Sequence, residues 1–257
     1  TITLKTSPIF WSLMFGNVVN LIFPRAGEVA RCGAVRKTYP IEFGKIFGTV
    51  VLERTIDMLF MLLMMALAFI FEGRIFLEIL NNLVSIASIK NFISDYIILA
   101  ILLLIGAMVF VIFIYLQFKK TAFIGKLLQF VRQFVSGLQT LFQMENKAAF
   151  WLATFLIWII YFLMMYWMAL SIPSTSSLSA TSVLMVLVMG SIGMIAPVQG
   201  GIGTFHALVA FILLFYGIPE AQGKVFAMLA HTSQMIIVLI FGGISFLYLF
   251  RKKQETL

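Results

Sequence analysis

The sequence has few charged residues, and this scarcity excludes most soluble architectures. Of its 257 residues only 11% are Asp, Glu, Lys or Arg, whereas 62% are hydrophobic and the mean hydropathy is +1.07. A soluble domain is about half apolar and about a quarter charged. In lipid, backbone groups must be hydrogen-bonded internally, which leaves helices or a closed barrel. Because the apolar runs are continuous rather than alternating, the sequence predicts an all-α integral membrane protein, a polytopic helical bundle.

Cysteine and catalytic motifs are nearly absent as well. The single Cys32 excludes an intramolecular disulfide framework and fits a reduced thiol. The sequence shows no nucleophile motif, no phosphate-binding P-loop and no metal-ligand cluster, and its two histidines lack a nearby third ligand. We therefore predict no catalytic residue, no metal and no cofactor, and a protein that is not an enzyme.

Apolar runs of helical length define the segments of the bundle. The predicted segments are 9–23, which is too short to cross a bilayer, a short polar helix at 27–37, a long helix at 41–71, spans at 96–117 and 148–171, shorter apolar helices at 179–196 and 204–216, and a last span at 224–249. Residues 121–143 repeat apolar side chains at the helical period, which predicts an interfacial amphipathic helix lying on the membrane. Packing of that helix against its neighbours is the alternative.

The net charge of +8 comes from basic residues that flank the apolar spans. This distribution indicates membrane orientation and anionic lipid headgroups rather than nucleic acid. Basic residues concentrate at 25–45, at 119–147 and near the C-terminus, so the positive-inside rule places these parts in the cytoplasm of a multi-pass plasma-membrane protein. Segments 179–196 and 204–216 must then enter and leave together, as a re-entrant hairpin or as two ordinary spans. Their lengths and the Gly-rich junction favour the hairpin.

Two stretches of the sequence resemble each other. "LIFPRAGEVARCGAV" is followed from Gly44 by "GKIFGTVVLERTIDML", and "MIAPVQGGIGTFHAL" is followed from Gly223 by "GKVFAMLAHTSQMII". Each has an apolar run, a proline, a Gly-containing turn, a short helix and then Gly-Lys-Ile/Val-Phe opening a long span. The charge distribution puts Lys45 and Lys224 on opposite sides of the membrane. The pattern therefore predicts an inverted repeat of two re-entrant broken-helix hairpins, which is typical of secondary transporters; chance similarity of short segments is the alternative.

The first break carries groups suited to binding an anion. A helix that begins inside a membrane presents free N–H groups and a partial positive charge to a phosphate. Gly27 permits the sharp turn, and Arg25 can add a bidentate phosphate contact. Glu28 and Arg31 are three residues apart and can pair on one helix face. The alternative is an interfacial helix whose charges simply face lipid headgroups.

The long helix at 41–71 carries charges in its middle. Glu53 and Asp57 are four residues apart and share a face, and Arg54 lies about 100° around from Glu53. Charges within a span usually face a cavity or one another. One hypothesis is that Glu53 or Asp57 neutralises Arg31 or Arg25 and releases it when an anionic headgroup arrives. The other is a salt-bridge cluster that only fixes helix packing.

The second break supplies glycines and a few polar side chains. Its candidate substrate-binding residues are Gln199, Gly200, Gly201, Gly203 and His206. The glycines allow close backbone approach. Lone membrane histidines are usually hydrogen-bonded packing residues; binding a headgroup or carrying protons is the alternative for His206 and for His231 in the last span.

The motifs "PRAGEVAR", "VVLERTIDML" and "APVQGGIGTFHALV" together resemble the lysylphosphatidylglycerol synthase/flippase transmembrane-region family over nearly the whole chain. The resemblance implies functional roles for Arg25, Gly27, Glu28 and Arg31 in the first motif, Glu53, Arg54 and Asp57 in the second, and Pro197, Gly200, Gly201 and Gly203 in the third. Relatives commonly carry an acidic residue where this chain has His206, so no charge is carried over to that position. Relatives usually have further N-terminal spans, so we expect one or two spans to precede this single transmembrane domain, 1–257.

The resemblance implies a flippase-like transporter that moves an anionic or headgroup-modified phospholipid, or a polyprenyl-phosphate-linked lipid, between leaflets. The expected partners are that membrane lipid and either further copies of the chain or a lipid-modifying enzyme. No soluble aminoacyl-transfer domain accompanies the motifs, so lipid synthesis is not implied. Two alternatives stay open: a membrane enzyme or subunit acting on lipid-linked sugars, with Glu53 and Asp57 as its candidate carboxylates, and a non-transporting scaffold for a lipid synthase.

Overall fold

The structure is a computed structural model that describes residues 4–83, 102, 106, 108, 122–144 and 146–251. Within these ranges the regular structure is helical, without strands, which confirms the all-α prediction. The helices are α1 (Thr6–Ile22), α2 (Gly27–Thr38), α3 (Phe43–Phe71), α4 (Gly73–Leu83), α5 (Ala122–Gln143), α6 (Lys147–Ser171), α7 (Ala180–Ile195), α8 (Thr204–Phe215) and α9 (Glu220–Arg251), with a single 3₁₀ turn, Gln199–Gly201, between α7 and α8.

The predicted helix boundaries agree with the observed ones to within a few residues. The predicted span 96–117 lies outside the described residues, apart from residues 102, 106 and 108. The sequence pattern assigned no helix to the segment that forms α4. Within the predicted segment 121–143, Ala122–Gln143 form a helix, α5, but its interfacial location stays a prediction.

Three of the described helices are long and apolar enough to cross a membrane: Phe43–Phe71, Lys147–Ser171 and Glu220–Leu249. At 1.5 Å per residue they are roughly 37–45 Å long, against about 30 Å for the hydrocarbon core of a bilayer. The protein is therefore an integral membrane protein. The helices α1, α2, α7 and α8 have 17, 12, 16 and 12 residues, and all four are shorter than the 20 or so residues that a straight crossing needs.

Contacts divide the chain into two compact units. One unit comprises Thr1–Phe71 with Gln133–Leu257 and contains α1 to α3 and α6 to α9; the other comprises Glu72–Arg132 and contains α4. Every site residue discussed below belongs to the first unit.

The core of the first unit is built around α7. This helix packs against α3, α6 and α8, and every residue from Met185 to Gly190 is buried. A helix that is apolar all round belongs in a core rather than at a surface. The first and last helices pack together at the side: the Ser7 hydroxyl lies 3.3 Å from the Tyr248 hydroxyl, and the rings of Trp11 and Tyr248 lie 5.7 Å apart.

The first break in the chain lies between α1 and α2. Phe23 is extended (φ −121°, ψ 109°) because the residue before a proline disfavours the helical conformation, and Arg25 has a left-handed φ of 64°. The new helix begins at Gly27, whose N–H donates to Asn20 Oδ1 at 2.7 Å. The chain folds back here, so that α1 and α2 pack on each other as the first helix pair.

The second break lies between α7 and α8. Ala196 leaves the helix just before Pro197, and Gly200, Gly201 and Gly203 then take φ values of 56°, 76° and 89°. These left-handed values favour glycine over residues that carry a Cβ atom. Gly193 and Phe205 pack closely where α7 and α8 meet as the second helix pair. Both proline positions therefore interrupt helices, as predicted.

Candidate functional site

Five ionisable side chains from α2 and α3 form one ion-paired group, which we call the charge cluster: Glu28, Arg31, Glu53, Arg54 and Asp57. Arg31 Nη1 and Arg54 Nη2 each donate to Glu53 Oε1 at 3.0 Å. Arg54 also places Nε 3.5 Å from Glu28 Oε1 and Nη1 3.3 Å from Asp57 Oδ2. The guanidinium of Arg54 therefore joins all three carboxylates, and Glu53 joins both arginines.

The pairing of Arg31 with Glu53 follows the sequence-based hypothesis, but the predicted pair between Glu28 and Arg31 is wrong. Glu28 pairs with Arg54 of α3 instead. The physical reason is that a pair within one helix contributes only about 0.2–0.5 kcal/mol, so charges on a neighbouring helix easily displace it. The cluster thus binds α2 to α3 rather than supporting α2 alone.

Charge and exposure in the cluster are uneven. Three carboxylates face two guanidinium groups, so the fully ionised cluster carries one more negative than positive charge. The Arg31 side chain is only 13% exposed, whereas those of Glu53 and Arg54 are 36% and 47% exposed. The cluster is therefore anchored on one side by a nearly buried arginine and is accessible on the other.

Arg31 also lines a cavity of about 610 Å³ between the start of α1, α2 and the first turns of α3. Its other lining residues are Leu4, Ile9, Val35, Pro40, Ile41, Glu42, Lys45, Ile46, Thr49 and Val50. The walls are mostly aliphatic, and Arg31, Glu42 and Lys45 supply the charged side chains. Ligand sites for small molecules have this combination of an apolar surface with a few polar groups and occupy about 300–1,000 Å³.

Beneath the cluster, α2 and α3 share a small apolar core. Cys32, Val35 and Tyr39 of the α2 side pack with Ile46 and Val50 of α3. Cys32 is fully buried, and burial raises the pKa of its thiol to about 11, although the nearby charge of Arg31 acts in the opposite direction. The thiol is therefore protonated and unreactive near neutral pH.

The predicted turn glycine of the first break has a steric role. Gly27 is buried against Gly16 and Asn20 of α1, and a Cβ atom at position 27 would collide with the Gly16 carbonyl and the Asn20 side chain. Asn20 was not among the predicted site residues. Its signal in the sequence is an amide in an apolar helix, one turn before a break, where it can cap the next helix; Asn17 of the same helix carries a second amide.

Arg25 connects the two breaks. Its Nη2 donates to the main-chain carbonyl of Ile195, at the C-terminal end of α7. Such carbonyls lack partners within their helix and carry a partial negative charge, so a guanidinium is well suited to them. Within the described residues no carboxylate lies at salt-bridge distance from Arg25, in contrast to Arg31 and Arg54. Gly200 also approaches α1, since a Cβ atom there would collide with Leu21.

Both histidines meet at the second break. His231 Nε2 lies 2.8 Å from the Gly200 carbonyl oxygen, and His206 Nδ1 accepts a hydrogen bond from the Gly203 N–H at 3.2 Å. The two imidazole rings have centroids 4.8 Å apart. The sequence does not predict this contact, because no periodicity links positions on two different helices. Gln199 is exposed at the start of the turn.

The predicted site residues thus fall into two groups. The first is the charge cluster, and the second is the junction of the two breaks, with Arg25, Gly27, Gln199, Gly200, Gly201, Gly203 and His206. The short helix α2 belongs to both, because it begins two residues after Arg25 and carries Glu28 and Arg31.

A comparison with protein families matches residues 2–242 to the family described as "Lysylphosphatidylglycerol synthase TM region". Neither the curated proteins nor the solved structures contain a match to the chain.

Proposed function

Because the chain belongs to the lysylphosphatidylglycerol synthase transmembrane-region family, a membrane family linked to lipid handling, we propose that it is a flippase-like transporter. Its cargo is an anionic or headgroup-modified phospholipid, or a polyprenyl-phosphate-linked lipid, that moves between the leaflets of the plasma membrane. On this proposal the chain is not an enzyme, and its C-terminus is cytoplasmic, in agreement with the basic residues there.

The observation that carries the proposal is that three members of the charge cluster lie in the interior sequence of a membrane span. Glu53, Arg54 and Asp57 stand within α3, with apolar residues on both sides. Ionisable groups in a span are costly and mark polar pathways or internal ion pairs. Here they also adjoin, through Arg31, a cavity with aliphatic walls. A polar path beside an apolar surface is what a lipid needs, because its headgroup and its acyl chains must move together.

The two broken-helix pairs support the same proposal. We take α1–α2 and α7–α8 to be re-entrant hairpins that enter the membrane from opposite faces as an inverted repeat. In favour of this reading, all four helices are too short for a straight crossing, and each break combines a proline with left-handed backbone. Transporters built on inverted repeats place their substrate site where such breaks meet.

Arg25 is the proposed phosphate contact. Its partner is a neutral carbonyl, so its positive charge is available to an arriving phosphate, whereas Arg31 and Arg54 are already opposed by carboxylates. A phosphate would compete with the Ile195 carbonyl for the guanidinium, because a phosphate carries a full negative charge and can accept two parallel hydrogen bonds, whereas the carbonyl is neutral. Substrate binding would thereby loosen the link between the two helix pairs.

A second candidate function is a non-transporting scaffold for a lipid-modifying enzyme. The observation that favours it is that the five charges of the cluster are paired with one another, as in a group that only fixes helix packing. The two functions differ in the effect of Arg25→Gln, which removes the positive charge of Arg25 but leaves the cluster intact.

Reconstitution tests the proposal. The purified chain is placed in liposomes with a fluorescently labelled anionic phospholipid, and the fraction of label that becomes accessible to an external quencher is followed over time. We expect the wild type to accelerate equilibration, and Arg25→Gln to reduce the rate at least tenfold with only a small fall in melting temperature, because the lost hydrogen bond to Ile195 is exposed. Glu220→Gln, which alters an exposed ion pair with Lys224, is the matched control and should retain the wild-type rate. A wild-type rate equal to that of protein-free liposomes contradicts transport and favours the scaffold.

A further inference from the structure

The two histidines of the chain lie in contact, although they occupy different helices. Their ring centroids are 4.8 Å apart with an interplanar angle of 82°, and the Phe205 ring stacks on His231 at 5.0 Å and 21°. Histidine is the side chain that ordinarily changes charge between pH 5 and 8. The groups best suited to sensing a proton near neutral pH are thus gathered at the glycine turn between α7 and α8.

His206 holds one end of this turn and must be neutral to do so. Its Nδ1 accepts a hydrogen bond from the Gly203 N–H at 3.2 Å, which closes the first turn of α8 as a capping residue does. A nitrogen that accepts carries no proton, so the ring proton lies on Nε2. Gly203 itself has a φ of 89°, a left-handed value that glycine adopts readily, and its N–H is fixed by the bond to His206 Nδ1.

His231 holds the other end. Its Nε2 lies 2.8 Å from the Gly200 carbonyl oxygen, and because a carbonyl only accepts, Nε2 must donate. The side chain is 2% exposed, and within the described residues its Nδ1 has no hydrogen-bond partner. Protonation of Nδ1 would leave the bond to Gly200 in place. The two histidines therefore respond differently to a proton.

The surrounding helices carry few charged groups that could neutralise a protonated histidine. No Asp, Glu, Lys or Arg occurs in the sequence from 148 to 219, which includes α7, the turn and α8, and none occurs in α1. Among the described residues, the ionisable side chains on other elements in contact with α9 are Lys147, Tyr161 and Tyr166 of α6 and Lys37 of α2, which donates to the Leu249 carbonyl near the far end of α9. Arg25 lies at the nearby Ile195 carbonyl. On α9 itself, Glu220 and Lys224 pair with each other, about two to three turns before His231, and Arg251 lies at the far end.

We propose that His206 is a proton-operated latch on the glycine turn. When His206 is neutral, its Nδ1 closes the turn. A proton on Nδ1 turns that acceptor into a donor, abolishes the bond to Gly203 and places a positive charge at the positive end of the α8 dipole. The turn then opens. This inference rests on the proposed function in one respect, since opening would regulate lipid movement at the junction, but the opening itself is measured separately.

Hydrogen–deuterium exchange of the segment 196–206 tests the latch in the full chain in nanodiscs. Exchange at pH 5.5 and pH 7.5 is compared after correction for the pH dependence of the intrinsic rate. We expect about tenfold faster corrected exchange at pH 5.5, since losing a helix cap is worth about a tenfold change in an equilibrium constant. A segment of α7, 183–190, serves as the internal control and should not respond.

Three variants separate the latch from a general effect of acid. His206→Gln keeps a side-chain acceptor at the position where glutamine caps helices, so its turn should stay closed at both pH values. His206→Lys has no acceptor and a permanent charge, so its turn should be open at both. His231→Gln keeps a donor for the Gly200 carbonyl and should retain the wild-type pH response. If His206→Gln does not fold, His206→Glu provides the same cap.

Equal corrected exchange at both pH values in the wild type would overturn the latch, and so would a pH response that persists in His206→Gln. A pH response of the turn in a protein that moves no lipid would support the latch and contradict the proposed function. Lipid movement without any pH response of the turn would support the proposed function and contradict the latch.

Discussion

Replacing Glu53 by glutamine should destabilise the protein mainly through Arg31. The substitution keeps the size of the side chain and removes the negative charge that both Arg31 Nη1 and Arg54 Nη2 contact at 3.0 Å. Arg54 keeps two carboxylate partners, Glu28 and Asp57, so it loses little stabilisation. Arg31 has Glu53 as its ion-pair partner among the described residues, and it is only 13% exposed.

The expected loss of stability follows from the exposed fractions of these side chains. A hydrogen bond to a charged group contributes about 1.5–3 kcal/mol, and exposed pairs contribute about 0.2–1 kcal/mol. Because Glu53 itself is 36% exposed, solvent screening reduces the first figure, and we expect a loss of about 2 kcal/mol in total. For a protein of this size that corresponds to a fall of about 4–8 °C in melting temperature.

Thermal unfolding in detergent measures the effect, and a double-mutant cycle with Arg31→Gln assigns it. The double variant restores the original charge balance, so it should be more stable than the two single changes predict together. Glu220→Gln removes the same charge from an exposed i,i+4 pair and should leave the melting temperature unchanged. The reasoning is refuted if Glu53→Gln melts like Glu220→Gln, or if the effects of Glu53→Gln and Arg31→Gln simply add.

Two further predictions concern packing and reactivity in α2. Gly27→Ala should destabilise the first helix pair by about 1–3 kcal/mol, because the new methyl group collides with the Asn20 side chain. At Gly33 a new methyl group meets nothing within 4 Å, so Gly33→Ala should be neutral or stabilising. The melting temperatures of the two variants in one detergent test this difference. Cys32 should react with a maleimide at least 100-fold more slowly at pH 7.5 than a cysteine placed at the exposed position of Gln199. The reason is that burial raises the pKa of the Cys32 thiol to about 11, and the thiolate is the reactive form. Equal rates would show that the α2–α3 core opens readily.

Much of the helix plan could be predicted from local signals. Pro24 and Pro197 exclude the helical conformation from the residues before them, and both helices end there. Hydrophobic periodicity and length likewise give α3, α6 and α9, because a span must be long and apolar whatever it packs against. The sequence does not predict α4, because Gly73, Arg74, Glu78 and two asparagines give this segment a mixed composition that also suits a loop.

The partners within the site could not be predicted in the same way. That Glu53, Arg54 and Asp57 belong together follows from helical spacing, but the pairing of Glu28 with Arg54 depends on how α2 rests on α3. The contact between His206 and His231 likewise depends on the angle between two different helices, which helical spacing along the sequence does not give. Sequence spacing fixes which side chains share a face of one helix; contacts between helices are set by packing, which a single sequence does not show.

The contact between the first and last helices can form only late in biosynthesis. Ser7 and Tyr248 meet although 241 residues separate them along the chain. A ribosome that adds about 5–20 residues per second needs roughly 10 to 50 seconds to make that stretch. For that time the newly made α1 has no α9 to cover its aromatic face. Another surface, such as lipid, the insertion machinery or a neighbouring helix, must shield it until translation of the last span is complete.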